Sequence, residues 1–145
     1  MPGTRLMPSL RPGLQVLLSI SLAGVAAVTL TPEGTGWTWG APSTELRWYA
    51  TGLDSSATLL QLVGNLSLLV LPAALAVLLW PSLGRPARLV AAALTAGAAI
   101  EALQWALPLG RVVSPVDALL NAAGAMTAGL LVSSFFSSAR RLAGA

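Results

Sequence analysis

The chain contains no cysteine and no histidine. Without thiols it forms no disulfide, holds no iron–sulfur cluster and offers no thiolate nucleophile. Without imidazole it lacks the commonest general base and the commonest metal ligand. Lysine is absent too: all 8 basic residues are arginine. With abundant Ala, Gly and Pro, that usage suits a GC-rich bacterial genome more than a particular function. Charge of either sign is scarce, at 9% of residues against roughly 25% in soluble domains. The net charge of +3 comes from arginines scattered beside apolar segments, a pattern that does not suit nucleic-acid binding.

What the chain has instead is apolar sequence, 55% of its residues, with a mean hydropathy of +0.77. A length of 145 residues points to a single domain, 1–145, with no internal repeat. A bilayer core needs about 20 mainly apolar residues per helix. Four segments qualify, at about 13–30, 58–80, 87–107 and 115–136, so the expected fold is an all-α integral membrane bundle. Pro32, Pro81, Pro108 and Pro115 mark their ends. The first segment also has features of a cleaved signal peptide, with Arg5 and Arg11 ahead of it and small residues at Val25, Ala26 and Ala27. Its apolar run is long for that role, so a retained span is expected.

Arginine placement predicts the orientation. Four spans put both termini and the middle loop on one side, with Arg5, Arg11, Arg85, Arg88, Arg140 and Arg141. The other side has only Arg47 and Arg111, beside Glu33, Glu45 and Asp54. The positive-inside rule makes the arginine-rich side cytoplasmic. The first loop, 31–57, and the third, 108–114, then face outward, and the Pro- and Gly-rich stretch from Pro32 to Pro42 reads as loop, not as a linker to a second domain. Trp37, Trp39, Trp48 and Tyr49 suit an interfacial belt that anchors this loop.

Polar residues interrupt three of the spans. At about 1.5 Å per residue, Glu101, Asn121 and Asn65 fall at similar depths, about 9–10 Å inside the outer ends. Gln61, Gln104 and Asp117 lie about one turn nearer the surface. Such groups are costly facing lipid, so they are expected to converge inside the bundle on an outward-opening polar pocket. Arg111, on the loop between the last two spans, is the cation expected to compensate Glu101 or Asp117. Plainer roles exist for most of these residues. Ser114-Pro115-Val116-Asp117 is a good helix start, with Asp117 able to close a capping box. Asn65 and Asn121 suit interhelical hydrogen bonds, Gly124 suits close helix packing and Pro72 a kink. Glu101, about a turn and a half inside its span, has no capping duty, which leaves an ion pair with Arg111 as its plain role.

The constellation resembles the VanZ-like family of small bacterial membrane proteins. Their pattern has Asn then Pro in one span, Glu-x-x-Gln in the next, then Arg, Asp and Asn-x-x-Gly. The matching positions are Asn65, Pro72, Glu101, Gln104, Arg111, Asp117, Asn121 and Gly124, within about 61–131. Pro72 is followed by Ala73-Ala74 where many members have Pro-x-Gly. The resemblance implies a role in the cell envelope and a contribution to resistance against teicoplanin, a lipid-bearing glycopeptide. It supplies no reaction.

The expected function is therefore binding of a polar head group, that of a lipid-linked envelope precursor or a lipoglycopeptide, at a bacterial cytoplasmic membrane. Arg111 would meet an anionic group, Glu101 and Asp117 would hold Arg111, and Asn65, Gln104 and Asn121 would orient the ligand. The alternatives are an intramembrane hydrolase or transferase on a lipid-linked phosphate, with Glu101 or Asp117 as general base, and an accessory subunit of a membrane complex. No catalytic residue is assigned, and neither a metal nor a cofactor is expected.

Overall fold

A computed structural model describes residues 9–143. Arg5, placed above on the positive side, lies outside the described residues. Helix α1 runs Arg11–Leu30, α2 Pro42–Thr51, α3 Ser56–Leu68, α4 Val70–Leu79, α5 Pro86–Ala106 and α6 Pro115–Ala143. Short strands β1, Trp37–Trp39, and β2, Arg111–Val113, lie between them. Helices α1, α2 and α5 each carry a proline in their first two positions, and α6 begins on Pro115. A proline there removes only an amide that lacks an intrahelical partner, and its backbone angle is already helical.

Four segments are long and apolar enough to cross a membrane: Arg11–Leu30, Ser56–Leu79, Pro86–Ala106 and Pro115–Ser138. The protein is a membrane-embedded all-α bundle. The second span joins α3 to α4 through a break at Leu69. Pro72 explains it. Its nitrogen has no hydrogen to give the Leu68 carbonyl, and its ring crowds that carbonyl, so the helix opens one turn before the proline.

Helix α6 packs against α3, α4 and α5. Small residues make that possible. A Cβ on Gly97 would sit 2.3 Å from the Ala118 carbonyl oxygen, and one on Gly124 would sit 1.7 Å from that of Leu66. Leu69, Ala93, Ile100, Ala122 and Ala125 form the buried core. Only Thr29 of α1 is buried, so most of that helix faces outward from the bundle.

The loop between the first two spans is more ordered than its composition suggests. Strand β1 pairs in parallel with β2, Trp37 opposite Arg111 and Trp39 opposite Val113. The Gly36 carbonyl accepts from the Gly110 amide at 2.7 Å, and that of Val113 from the Gly40 amide at 2.9 Å. Gly110 is required twice over: its φ is +70°, and a Cβ would lie 2.4 Å from the Gly34 backbone. The stretch from Pro32 to Pro42 is thus not irregular throughout, and α2 follows it directly. Three-residue strands leave no alternating run for sequence patterning to reveal.

Candidate functional site

The sheet, α2, the C-terminal end of α1 and the start of α6 meet at one end of the bundle. Ser114 is the junction. It precedes Pro115 and is fully buried. Its hydroxyl accepts from the Asp117 amide at 3.0 Å, the ordinary cap of a helix start. A capping box would have the Asp117 carboxylate accept from the Ser114 amide. Here Glu101 of α5 takes that amide instead, Oε2 to nitrogen 2.7 Å. Glu101 therefore has a capping duty after all, for the neighbouring helix.

The Asp117 carboxylate is released for other partners. Oδ1 accepts from the Tyr49 hydroxyl at 2.9 Å and Oδ2 from Gln61 Nε2 at 3.2 Å. The Ser114 hydroxyl donates to Glu45 Oε2 at 2.5 Å. Burial pushes the Glu45 carboxyl up from its ordinary value; the Ser114 hydrogen bond opposes that and the Asp117 charge adds to it. Tyr49 is not a belt residue as expected but is the buried residue of α2. Burial raises its hydroxyl pKa, and the hydrogen bond to Asp117 raises it further.

Tyr49 is the chain's 1 tyrosine, so tyrosinate absorbance reports on this site alone. In the folded protein the signal is expected only well above pH 10.0, the ordinary value, and Asp117→Asn lowers the midpoint toward it. The unfolded chain ionises first, so stability is expected to fall as pH rises past 10.0. A midpoint at the ordinary value would contradict the placement of this hydroxyl.

Arg111 corrects the expected charge pairing. It contacts neither Glu101 nor Asp117. Nη1 pairs with Glu33 at 3.1 Å, the one salt bridge among the described residues. Nε and Nη2 donate to the Thr31 carbonyl at 3.3 and 3.0 Å, and Nη2 also to that of Val28 at 2.9 Å. These carbonyls end α1, where the helix dipole favours a cation. Gln104, buried, donates to the Thr29 carbonyl at 3.1 Å. Arg111 and Gln104 thus hold the poorly buried α1 at this end. Lysine cannot reproduce a planar fork across three acceptors. Arg111→Lys is expected to loosen α1, seen as faster amide exchange near Thr29 to Thr31. Unchanged exchange would contradict this anchoring role.

A cavity of about 560 Å³ opens among α1, α3, α5 and α6. Its lining includes all six residues expected from the sequence to meet a ligand: Asn65, Glu101, Gln104, Arg111, Asp117 and Asn121. Asn121 is buried with its Oδ1 unpartnered. A second, mainly apolar cleft of about 580 Å³ is lined by Trp39, Leu94, Trp105 and Leu119 among others, and it shares Glu101 with the first. Gly124 lies off the cavity at the α3–α6 contact, and Pro72 is buried in α4.

A family model described as VanZ/LLP1 matches residues 14–137, reaching all four spans. The chain belongs to the VanZ/LLP1 family. No curated protein and no solved structure matches it. In this VanZ/LLP1 chain the hydrogen-bond network extends beyond the residues expected from the sequence, to Glu45, Tyr49, Ser114 and Glu33. Ser114 was legible only as a cap. Glu45 and Tyr49 carried no signal, because an acid and an aromatic in a loop suit solvent and interface equally well. Ser114 and Glu45 are hydrogen-bonded as a nucleophile and base would be. Neither lines the two cavities that border Glu101, so neither is placed to meet a substrate there.

Proposed function

We propose that the protein is an envelope protein of the bacterial cytoplasmic membrane, with both termini cytoplasmic and the sheet end outward. Its polar cavity binds the head group of a lipid-linked envelope molecule or of a lipoglycopeptide. Through that binding it lowers susceptibility to teicoplanin. The observation that carries this reading is the cavity itself: polar side chains from three spans, with Arg111, around one space of about 560 Å³. A lipid-linked ligand also needs room for its chain, and the apolar cleft on the far side of Glu101 offers it.

The test is teicoplanin susceptibility of a sensitive host carrying an empty vector, this protein or Glu101→Gln, at matched membrane levels. Reduced susceptibility with the native protein alone is expected. Equal susceptibility in all three strains would contradict the resistance role. The orientation has its own test, because the chain has no cysteine. Thr38→Cys, in β1, is expected to react with a membrane-impermeant maleimide on intact cells, and Ser82→Cys, in the turn before α5, is not. The reverse pattern would invert the topology.

A further inference from the structure

The charges around the cavity do not balance. Its lining carries the carboxylates of Glu33, Glu101 and Asp117 against one guanidinium, that of Arg111. That guanidinium is already committed to Glu33 and to the carbonyls of Val28 and Thr31. The hydrogen bonds to Glu101 and Asp117 come from neutral donors: the Ser114 amide, the Tyr49 hydroxyl and the Gln61 amide. Glu45, joined to the same junction through the Ser114 hydroxyl, adds another negative charge felt by Asp117. Carboxylates within a membrane bundle are neutralised by a counter-charge or by a proton, and a charged partner in the cavity would supply the first.

Asn121 gives a second and independent indication. It lines the cavity, is 1% exposed, and its amide oxygen has no partner. Buried acceptors are nearly always satisfied, by protein, water or ligand. The unmet needs here are all for a donor, and two of the neighbouring groups also call for positive charge.

We infer that the group recognised in this cavity is a protonated primary amine, held by Glu101, Asp117 and the Asn121 carbonyl. An ammonium has three N–H donors and one charge, matching three acceptors of which two are acidic. A quaternary ammonium has the charge but no N–H for Asn121. A phosphate would face two carboxylates with no uncommitted cation among the described residues lining the cavity. A divalent ion calls for several oxygen ligands, and among the described residues no three acidic side chains converge on one point. The inference rests on the head-group reading above and deepens it, replacing the anionic group expected of Arg111.

Purified full-length protein in detergent is offered an equimolar mixture of phosphatidylethanolamine, phosphatidylcholine and phosphatidylglycerol with identical chains. Retained lipid is counted by native mass spectrometry. A parallel arm measures free radiolabelled ethanolamine by equilibrium dialysis, with sodium chloride at equal ionic strength as control. Phosphatidylethanolamine is expected to exceed the other two lipids by about tenfold, equivalent to about 1.4 kcal/mol. Glu101→Gln and Asp117→Asn are expected to abolish that preference. Both keep an acceptor oxygen for Ser114 or Tyr49, and gel filtration checks each fold.

A preference for phosphatidylglycerol that is lost in the variants overturns the amine while sparing the head-group reading. An ethanolamine-lipid preference unchanged in both variants overturns this cavity as the site. Specific binding of free ethanolamine, lost in the variants and without lipid preference, supports the amine and overturns its lipid source. No preference in either arm, or an effect that sodium chloride reproduces, overturns the inference.

Discussion

Replacing Gly124 by alanine is expected to destabilise the bundle by about 1–3 kcal/mol or more, the range for overpacked interiors. The added methyl would lie 1.7 Å from the Leu66 carbonyl oxygen and 2.8 Å from its carbon. Both atoms are backbone, so no side-chain rotation relieves the clash and α3 must move away from α6. Within a membrane, association between spans depends heavily on such close packing. The damage reaches the cavity as well. Gln61 and Asn65 are on α3, and Asp117 and Asn121 are on α6. The Gln61–Asp117 hydrogen bond, at 3.2 Å, has little slack for the two helices to part. Gly24→Ala on α1 is the control, because nothing lies within 4 Å of its Cβ position. Unfolding in detergent mixtures, followed by tryptophan fluorescence, is expected to show a large loss for Gly124→Ala and none for Gly24→Ala. Equal stability of the two variants would contradict the α3–α6 contact.

Removing the Glu101 side chain is expected to have a comparable effect through different physics. Glu101→Ala leaves the Ser114 amide buried without its acceptor, at a cost of about 1–3 kcal/mol. Ser114 also ties α6 to Glu45, so α2 loosens with it. Glu101→Gln keeps an oxygen for that amide and removes only the charge, so it is expected to retain most of the stability. The pair therefore separates two roles. If Glu101 serves only as a cap, the glutamine variant keeps both fold and ligand. If its charge recognises the ligand, the glutamine variant folds but does not bind. Loss of binding in strict proportion to loss of folded protein, in both variants, would favour a purely structural network.

The four spans were legible in the sequence because apolar runs of bilayer length have few other uses. The convergence of Asn65, Glu101, Gln104, Asp117 and Asn121 was legible for a related reason: polar groups inside such runs must find one another. The partnerships within the cluster were not. Pairing Arg111 with Glu101 or Asp117 followed from counting charges near one loop. The competing acceptors were backbone carbonyls at the end of α1, which exist at every helix terminus and leave no mark in the sequence. Glu33 looked like one more exposed loop acid. Asp117 was rightly placed at a helix start, yet its carboxylate gave up the local bond because Glu101 supplied it from another helix. Tyr49 belonged to a cluster of aromatics that composition assigns to the interface, and only the fold of α2 onto α6 removes it from there. The sheet escaped notice because each strand is three residues long and its partner lies about seventy residues away, Trp37 opposite Arg111.

The most direct test of the account is to identify what the protein carries out of its own membrane. The native chain, Glu101→Gln and Asp117→Asn are purified in parallel from the same host under mild detergent, and bound lipids are extracted and compared by mass spectrometry. An amine-bearing lipid or lipid-linked precursor enriched with the native chain and absent from both folded variants is the predicted result. Identical lipid profiles from all three proteins would contradict ligand binding at this cavity.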